Sequence, residues 1–367
     1  MREMRFLLAP RSTLIVRGPA QVQLTSGEAA ILGAPLKRHQ RVIIRSEKQL
    51  PIETSTEADL QIALGELGEA TEVKGSTIPE TWRLAVEALS EMRQGVVAVV
   101  GGTDVGKSTF CAYVGNKLIG EGLQVRIVDA DVGQAEMGPP ATVSCATPSD
   151  HFTSLLDLKP DRLRFVGHVT PSYVEAKLID GVKRLIGTEP EREYLTVINT
   201  DGWILGSDAL LHKINMISSI DPDIVVGISS DSDLDLILSM LNVRSIVVQS
   251  AKEALLRSRK DRRAIRQSGY RRFLEGGSVA NVPVNSVQVR KPTGFPAFDM
   301  KSINPQFRNL LVGLSDEEGF LQQIGILINA DKQSLRIFSK PVESVRLLEL
   351  GYVKLLVDGT ELGFIEM

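Results

Sequence analysis

The stretch Gly95-Val-Val-Ala-Val-Val-Gly-Gly-Thr-Asp-Val-Gly-Lys-Ser-Thr109 decides the fold. Its valine-rich first half reads as a buried strand and the residues after Thr109 have helical spacing, so strand, Gly-rich loop and helix follow in order. Gly102, Thr103, Asp104, Val105, Gly106, Lys107, Ser108 and Thr109 are the expected nucleotide-binding loop. Its glycines let the backbone curl until successive N–H groups face one anion. Lys107 then reaches the outer phosphates, and the Ser108 hydroxyl is placed to ligate Mg²⁺. ATP and Mg²⁺ are the expected cofactors.

Working outward, the next apolar run, Gln124–Val128, leads into Asp129-Ala-Asp-Val-Gly-Gln134. A carboxylate at the carboxyl end of a strand beside a phosphate loop can enter the metal shell or accept a proton from an attacking hydroxyl. Asp131 is the first candidate for both tasks; Asp129 and Gln134 are candidate substrate contacts. For either aspartate alone, a solvated strand end is the competing reading. Further Val/Ile runs at 163–166, 194–198, 223–228 and 245–248 alternate with helical stretches. They predict a parallel sheet covered on both faces, an α/β nucleotide-binding domain.

Two loops after strands carry candidate substrate groups. Asn199-Thr-Asp-Gly-Trp203 offers Trp203 as a surface on which a nucleobase could stack, core packing being the alternative. In Gly167-His-Val-Thr-Pro-Ser172, Thr170 either bonds a phosphate or caps the following turn. Farther on, residues 257–272 hold eight basic side chains against one acid. Arg259, Arg262, Arg263 and Arg266 recur at helical spacing on one face. Such a helix can close over ATP and neutralise charge on the transferring phosphoryl while its outer arginines meet a polynucleotide backbone; a solvated basic face is the alternative.

Flanking textures complete a three-part plan over 367 residues. Residues 1–78 show short β-type runs with frequent turn signals, predicting a small sandwich followed by a Gly/Glu/Thr-rich linker from Gly65 to Thr77. Residues 79–282 are the nucleotide-binding domain, opened by a helix with Pro79 at its first position. Residues 283–367 read as a second small β domain. A net charge of −3 confines any nucleic-acid contact to a local basic patch. Two cysteines, Cys111 and Cys145, exclude a disulfide framework, and no apolar run is long enough for a membrane span or signal peptide. A cytoplasmic protein is expected.

These motifs resemble those of the Clp1/Grc3 polynucleotide 5′-hydroxyl kinases, most closely the archaeal single-chain type. The resemblance rests on Thr103–Thr109, Asp129–Gln134, Asn199–Trp203, and the arginines Arg257, Arg262 and Arg266 followed by Tyr270. It extends to Val16-x-Gly-Pro19, Ser26-Gly-Glu28 and Leu32-Gly33 near the start. It implies transfer of the ATP γ-phosphoryl to the 5′-hydroxyl of single-stranded RNA or DNA, with RNA-processing proteins as partners. By similarity, Lys107 and Ser108 hold triphosphate and Mg²⁺, Asp131 is metal-shell ligand and general base, Trp203 clasps the terminal base, and Arg262 and Arg266 belong to the lid. An ATP-binding structural subunit of an RNA-processing assembly is the alternative; retention of Lys107, Ser108, Asp131 and the lid arginines together favours catalysis.

Overall fold

A computed structural model describes residues 2–187, 194–229, 234–292, 307–330 and 333–365. The first strands are β1 (Arg2–Leu8), β2 (Ser12–Arg17), β3 (Ala20–Ser26), β4 (Ala30–Ile31), β5 (Ala34–Pro35), β6 (Arg41–Ile44), β7 (Gln49–Thr54), β8 (Ala58–Leu64) and β9 (Glu69–Lys74). They form two sheets, ordered β1-β8-β3-β6 and β5-β4-β7-β2-β9. Side chains of β3 and β7 alternate between buried and half-buried, as facing sheets with one wet side require. The expected linker is shorter than its composition suggested, because Glu69–Lys74 pairs along all of β2. β9 is an edge strand exposed along most of its length, so its backbone is satisfied while its side chains stay polar.

The chain then enters α1 (Glu80–Ser90), β10 (Gly95–Gly101), α2 (Lys107–Gly120), β11 (Val125–Ala130), β12 (Thr142–Ala146), β13 (Arg162–Phe165), α3 (Glu175–Ile186), β14 (Leu195–Thr200), α4 (Ser207–Ile220), β15 (Ile224–Ser229), α5 (Asp235–Met240), β16 (Arg244–Gln249) and α6 (Arg259–Leu274). Pro79 is the cap of α1, one position earlier than expected. The central sheet runs β13-β12-β11-β14-β10-β15-β16. It is parallel from β11 to β16, but β12 and β13 are antiparallel, which corrects the all-parallel expectation. The turn-rich segment between β11 and β12 contains no helix to carry a parallel crossover, so the chain returns beside β11 in the opposite sense.

The last sheet comprises β17 (Ser278–Pro283), β18 (Gln288–Arg290), β19 (Leu310–Ser315), β20 (Leu321–Ala330), β21 (Ser334–Ser339), β22 (Leu347–Leu355) and β23 (Glu361–Phe364). It begins at Ser278, ahead of the expected break at 283, because β17 pairs with β21. Phe165 at the end of β13 seats its ring on Gly313 and Gly351. A Cβ at Gly313 would come within 2.5 Å of that ring. Glycine is therefore required for this close approach of the two sheets. One apolar core runs from the N-terminal sandwich into α1 and α2, taking in Leu14, Leu32, Trp82 and Phe110. Burying each of these large side chains contributes about 1.5–3 kcal/mol. The flanking sheets are thus fused to the nucleotide domain. Among the described residues no helix is long and apolar enough to cross a membrane.

Candidate active site

The loop between β10 and α2 has the geometry its sequence implies. Asp104 and Gly106 take left-handed φ of 62° and 99°. The N-terminus of α2 has no side-chain cap, so its first N–H groups face the loop unspent. Lys107 is buried and donates from Nζ to the Gly102 carbonyl at 2.7 Å. Burial lowers its pKa, while the charges of Asp131 and Asp201 act in the opposite sense.

A cleft lies over this loop. Thr103, Asp104, Gly106, Lys107, Ser108 and Thr109 form its floor. Asp131, Gln134 and Glu136 form one wall, and Lys48 to Pro51 of the N-terminal sandwich stand opposite. The Trp82 indole underpins the floor, 3.7 Å from the Cβ position of Gly106, and donates to the Gln249 carbonyl at 2.7 Å.

The two aspartates after β11 have separate surroundings. Asp131 lines the cleft and uses only Oδ1, which accepts from the backbone N–H of Gly133 (3.1 Å) and Gln134 (2.9 Å). Burial raises its pKa, with Lys107 pulling the other way. Asp129 is fully buried outside the cleft, which corrects its expected contact with substrate. Its oxygens accept from the Glu136 N–H at 2.7 Å and from Asn199 Nδ2 at 2.9 Å, so it shapes the turn that presents Asp131 and Glu136. Burial pushes its pKa up to about 7.

Thr103 Oγ1 donates to the Gly202 carbonyl at 3.3 Å, laying the Asn199–Trp203 loop against the phosphate loop. Asp201 anchors it, accepting from the Trp203 N–H (3.0 Å), His212 Nε2 (3.0 Å) and Lys213 Nζ (2.6 Å). The half-buried Trp203 ring stacks on His212, centroids 5.4 Å apart and planes 27° apart. It stands outside the cleft that Lys107 occupies. Thr170 precedes a single helical turn, but its hydroxyl accepts no capping hydrogen bond, and its N–H donates to His168 Nδ1 at 2.9 Å.

The basic helix begins with a capping box between Ser258 and Asp261. Of the four arginines at helical spacing, Arg262, Arg263 and Arg266 are engaged by acids distant in sequence. Arg262 Nη1 lies 3.1 Å from Asp104, which also pairs with Arg257. Arg266 makes a two-pronged pair with the buried Glu361 at 2.7 and 3.0 Å, and Arg263 donates to the Glu361 carbonyl. Arg259 and Arg263 are exposed. Arg257, which the sequence motifs include without giving it a role, is the arginine that lines the cleft.

Residues 101–276 match the family model for the P-loop of mRNA cleavage and polyadenylation factor CLP1. That stretch is similar to the Clp1 P-loop family. The chain is 29% identical over 340 positions to a polyribonucleotide 5′-hydroxyl-kinase of Pyrococcus furiosus, covering 79% of this chain and 96% of that one. To the corresponding protein of Methanocaldococcus jannaschii it is 26% identical over 344 positions, covering 79% and 95%. The solved Clp1p in complex with a Pcf11p segment matches with a TM-score of 0.73 at 14% identity, over 96% of this chain and 98% of that one. That last likeness is one of fold. As in the family's name, the site is a nucleotide-binding P-loop.

Lys48 and Glu136 also line the cleft, and no sequence motif marked either. Lys48 Nζ lies 2.6 Å from Glu136 Oε2, bridging the sandwich and the nucleotide domain across the cleft. Burial pushes the Glu136 carboxyl up, but Lys48 outweighs it and the net shift is downward. Only its position two residues after Gln134 could have marked Glu136. Nothing local marks Lys48, which comes from the turn between β6 and β7.

Proposed function

We propose that this protein is an ATP-dependent polynucleotide kinase that transfers the γ-phosphoryl of ATP to the 5′-hydroxyl of RNA, DNA or both. The observation that carries the reading is the convergence of Lys107, Ser108 and Asp131 on one cleft, with the arginine helix pinned to the loop through Asp104. The base and sugar of ATP fit between the sandwich and α1, its phosphates on the Gly102–Thr109 amides. Asp131 receives the 5′-hydroxyl proton. Lys107, Arg262 and Arg266 offset the charge of the phosphoryl in flight, an in-line displacement that depends on positioning and electrostatics. Trp203 holds the terminal base.

Ser108, Asp131 and Glu136 suit Mg²⁺, since a hydroxyl and carboxylates beside bound phosphates are the donors this ion takes. Among the described residues no group of three acid, histidine or cysteine side chains is placed to hold a metal ion by itself; phosphate oxygens would complete the shell. When bound, the ion supplies charge neutralisation at the outer phosphates. The rest falls to the chain: Lys107 binds, Gln134 orients, and the sandwich excludes water.

The chain divides into domains 1–78, 79–277 and 278–367, the last boundary moved forward to include β17. The relatives' names point to RNA as substrate. Free, buried cysteines suit the cytoplasm. A second reading, an ATP-binding structural subunit, is favoured by one observation: Arg263 and Arg266 are spent on Glu361. Incubation with Mg²⁺, γ-labelled ATP and matched 5′-hydroxyl RNA and DNA oligonucleotides separates the two. Label on the 5′ end, absent with Lys107→Ala, establishes the kinase and its sugar preference; tight ATP binding without label establishes the subunit.

A further inference from the structure

An aromatic cluster lies at the junction of the central and C-terminal sheets. The buried His168 ring is flanked by Phe364 (4.7 Å, 28°) and Tyr173 (4.7 Å, 54°). Phe364 is 45% and Tyr173 55% exposed, and neither belongs to the buried core. Leaving two aromatic rings this open forgoes burial energy that the fold could otherwise collect. The cluster is continuous with the active site. The Val169 carbonyl, next to His168, lies 2.9 Å from the Cβ position of Gly133, in the turn that follows Asp131. On its other side, β23 carries Glu361, to which Arg263 and Arg266 are tied, and Arg263 remains half exposed. The acid beneath the patch is buried and paired, so the outward charge is that of the arginines.

We propose that the Phe364–His168–Tyr173 face, bordered by Arg263, is a binding site for single-stranded polynucleotide downstream of the reacting 5′ end. Open rings beside guanidinium groups hold single strands by stacking and phosphate pairing, whatever the base. The inference rests on the kinase reading and extends it: the terminal nucleotide sits between Asp131 and Trp203, and the following nucleotides turn along residues 167–173 onto β23. Substrate length, rather than sequence, is what this face would sense.

The test compares kcat/KM for a 5′-hydroxyl dinucleotide and a decanucleotide sharing the same 5′ end, in wild type, Phe364→Ala, Tyr173→Ala and Phe364→Tyr. The wild type should favour the decanucleotide. Each alanine variant should lose about 5- to 100-fold on the decanucleotide, with the dinucleotide unchanged, whereas Phe364→Tyr keeps the preference. An unaltered length preference, or equal losses on both substrates, overturns the proposal; the first outcome would leave the rings as a protein contact. Should the wild type label neither substrate, the kinase reading fails, and equilibrium binding of the decanucleotide to the same variants decides the site on its own.

Discussion

Asp129 and Asp131 sit two residues apart, yet the fold gives one the turn and the other the cleft. The loss caused by Asp131→Asn should therefore fall on transfer, by orders of magnitude, with ATP affinity retained in equilibrium binding; Lys107→Ala should cost both. Asp129→Asn should instead lower thermal stability, since an amide nitrogen would face backbone donors. His168 permits a pH test. Burial lowers its pKa to about 4, so the unfolded chain takes up a proton that the folded chain refuses. Stability from this group is full above about pH 6.5 and is lost as pH falls towards 4. Relative to His168→Gln, the wild type should lose roughly 3 kcal/mol over that window, read as the difference in urea midpoints at each pH.

At the scale of elements, α6 is the part whose behaviour depends most on contacts its own sequence does not contain. Its capping box and arginine spacing are legible locally, but its anchors lie 158 residues upstream at Asp104 and 95 residues downstream at Glu361. A local reading consequently sees unpaired charge where the fold supplies counter-charge. Likewise the polar β9 reads as linker because an exposed edge strand needs backbone pairing and no apolar side chains. Glu361→Gln should destabilise the protein by about 3 kcal/mol, the lower part of the range for orphaning a buried ionic partner, and should raise amide exchange along α6. Asp104→Asn releases Arg257 and Arg262 together and should depress kcat more than it weakens ATP binding. An equal effect on both would mean that Asp104 merely shapes the loop.

For the whole molecule, the nucleotide cleft is shared between two domains, with Lys48 and Glu136 facing each other across it. ATP binding should thus stabilise the sandwich and the P-loop domain as one unit, by about 2.7 kcal/mol at a hundredfold excess over Kd, in a single thermal transition. With a net charge of −3, raising salt should weaken oligonucleotide binding far more than ATP binding, because the clustered charge of the arginine helix is what opposes the overall field at the proposed strand path. The phosphate loop, the carboxylate turn, the Trp203 loop and the α/β class were all readable in order along the chain, since each depends on local spacing. Lys48, Glu361 and the antiparallel return of β12 were not, because they depend on which sheets meet.

The only two tryptophans of the chain stand at separate places, Trp82 beneath Gly106 and Trp203 against His212. With Trp203 as the proposed contact of the terminal base and Trp82 beneath the phosphate loop, the two indoles would serve as an intrinsic optical probe for each substrate. Replacing either indole by phenylalanine leaves a single emitter, and stopped-flow traces of the two resulting proteins would resolve nucleotide arrival from strand arrival, giving the order of binding without an added label.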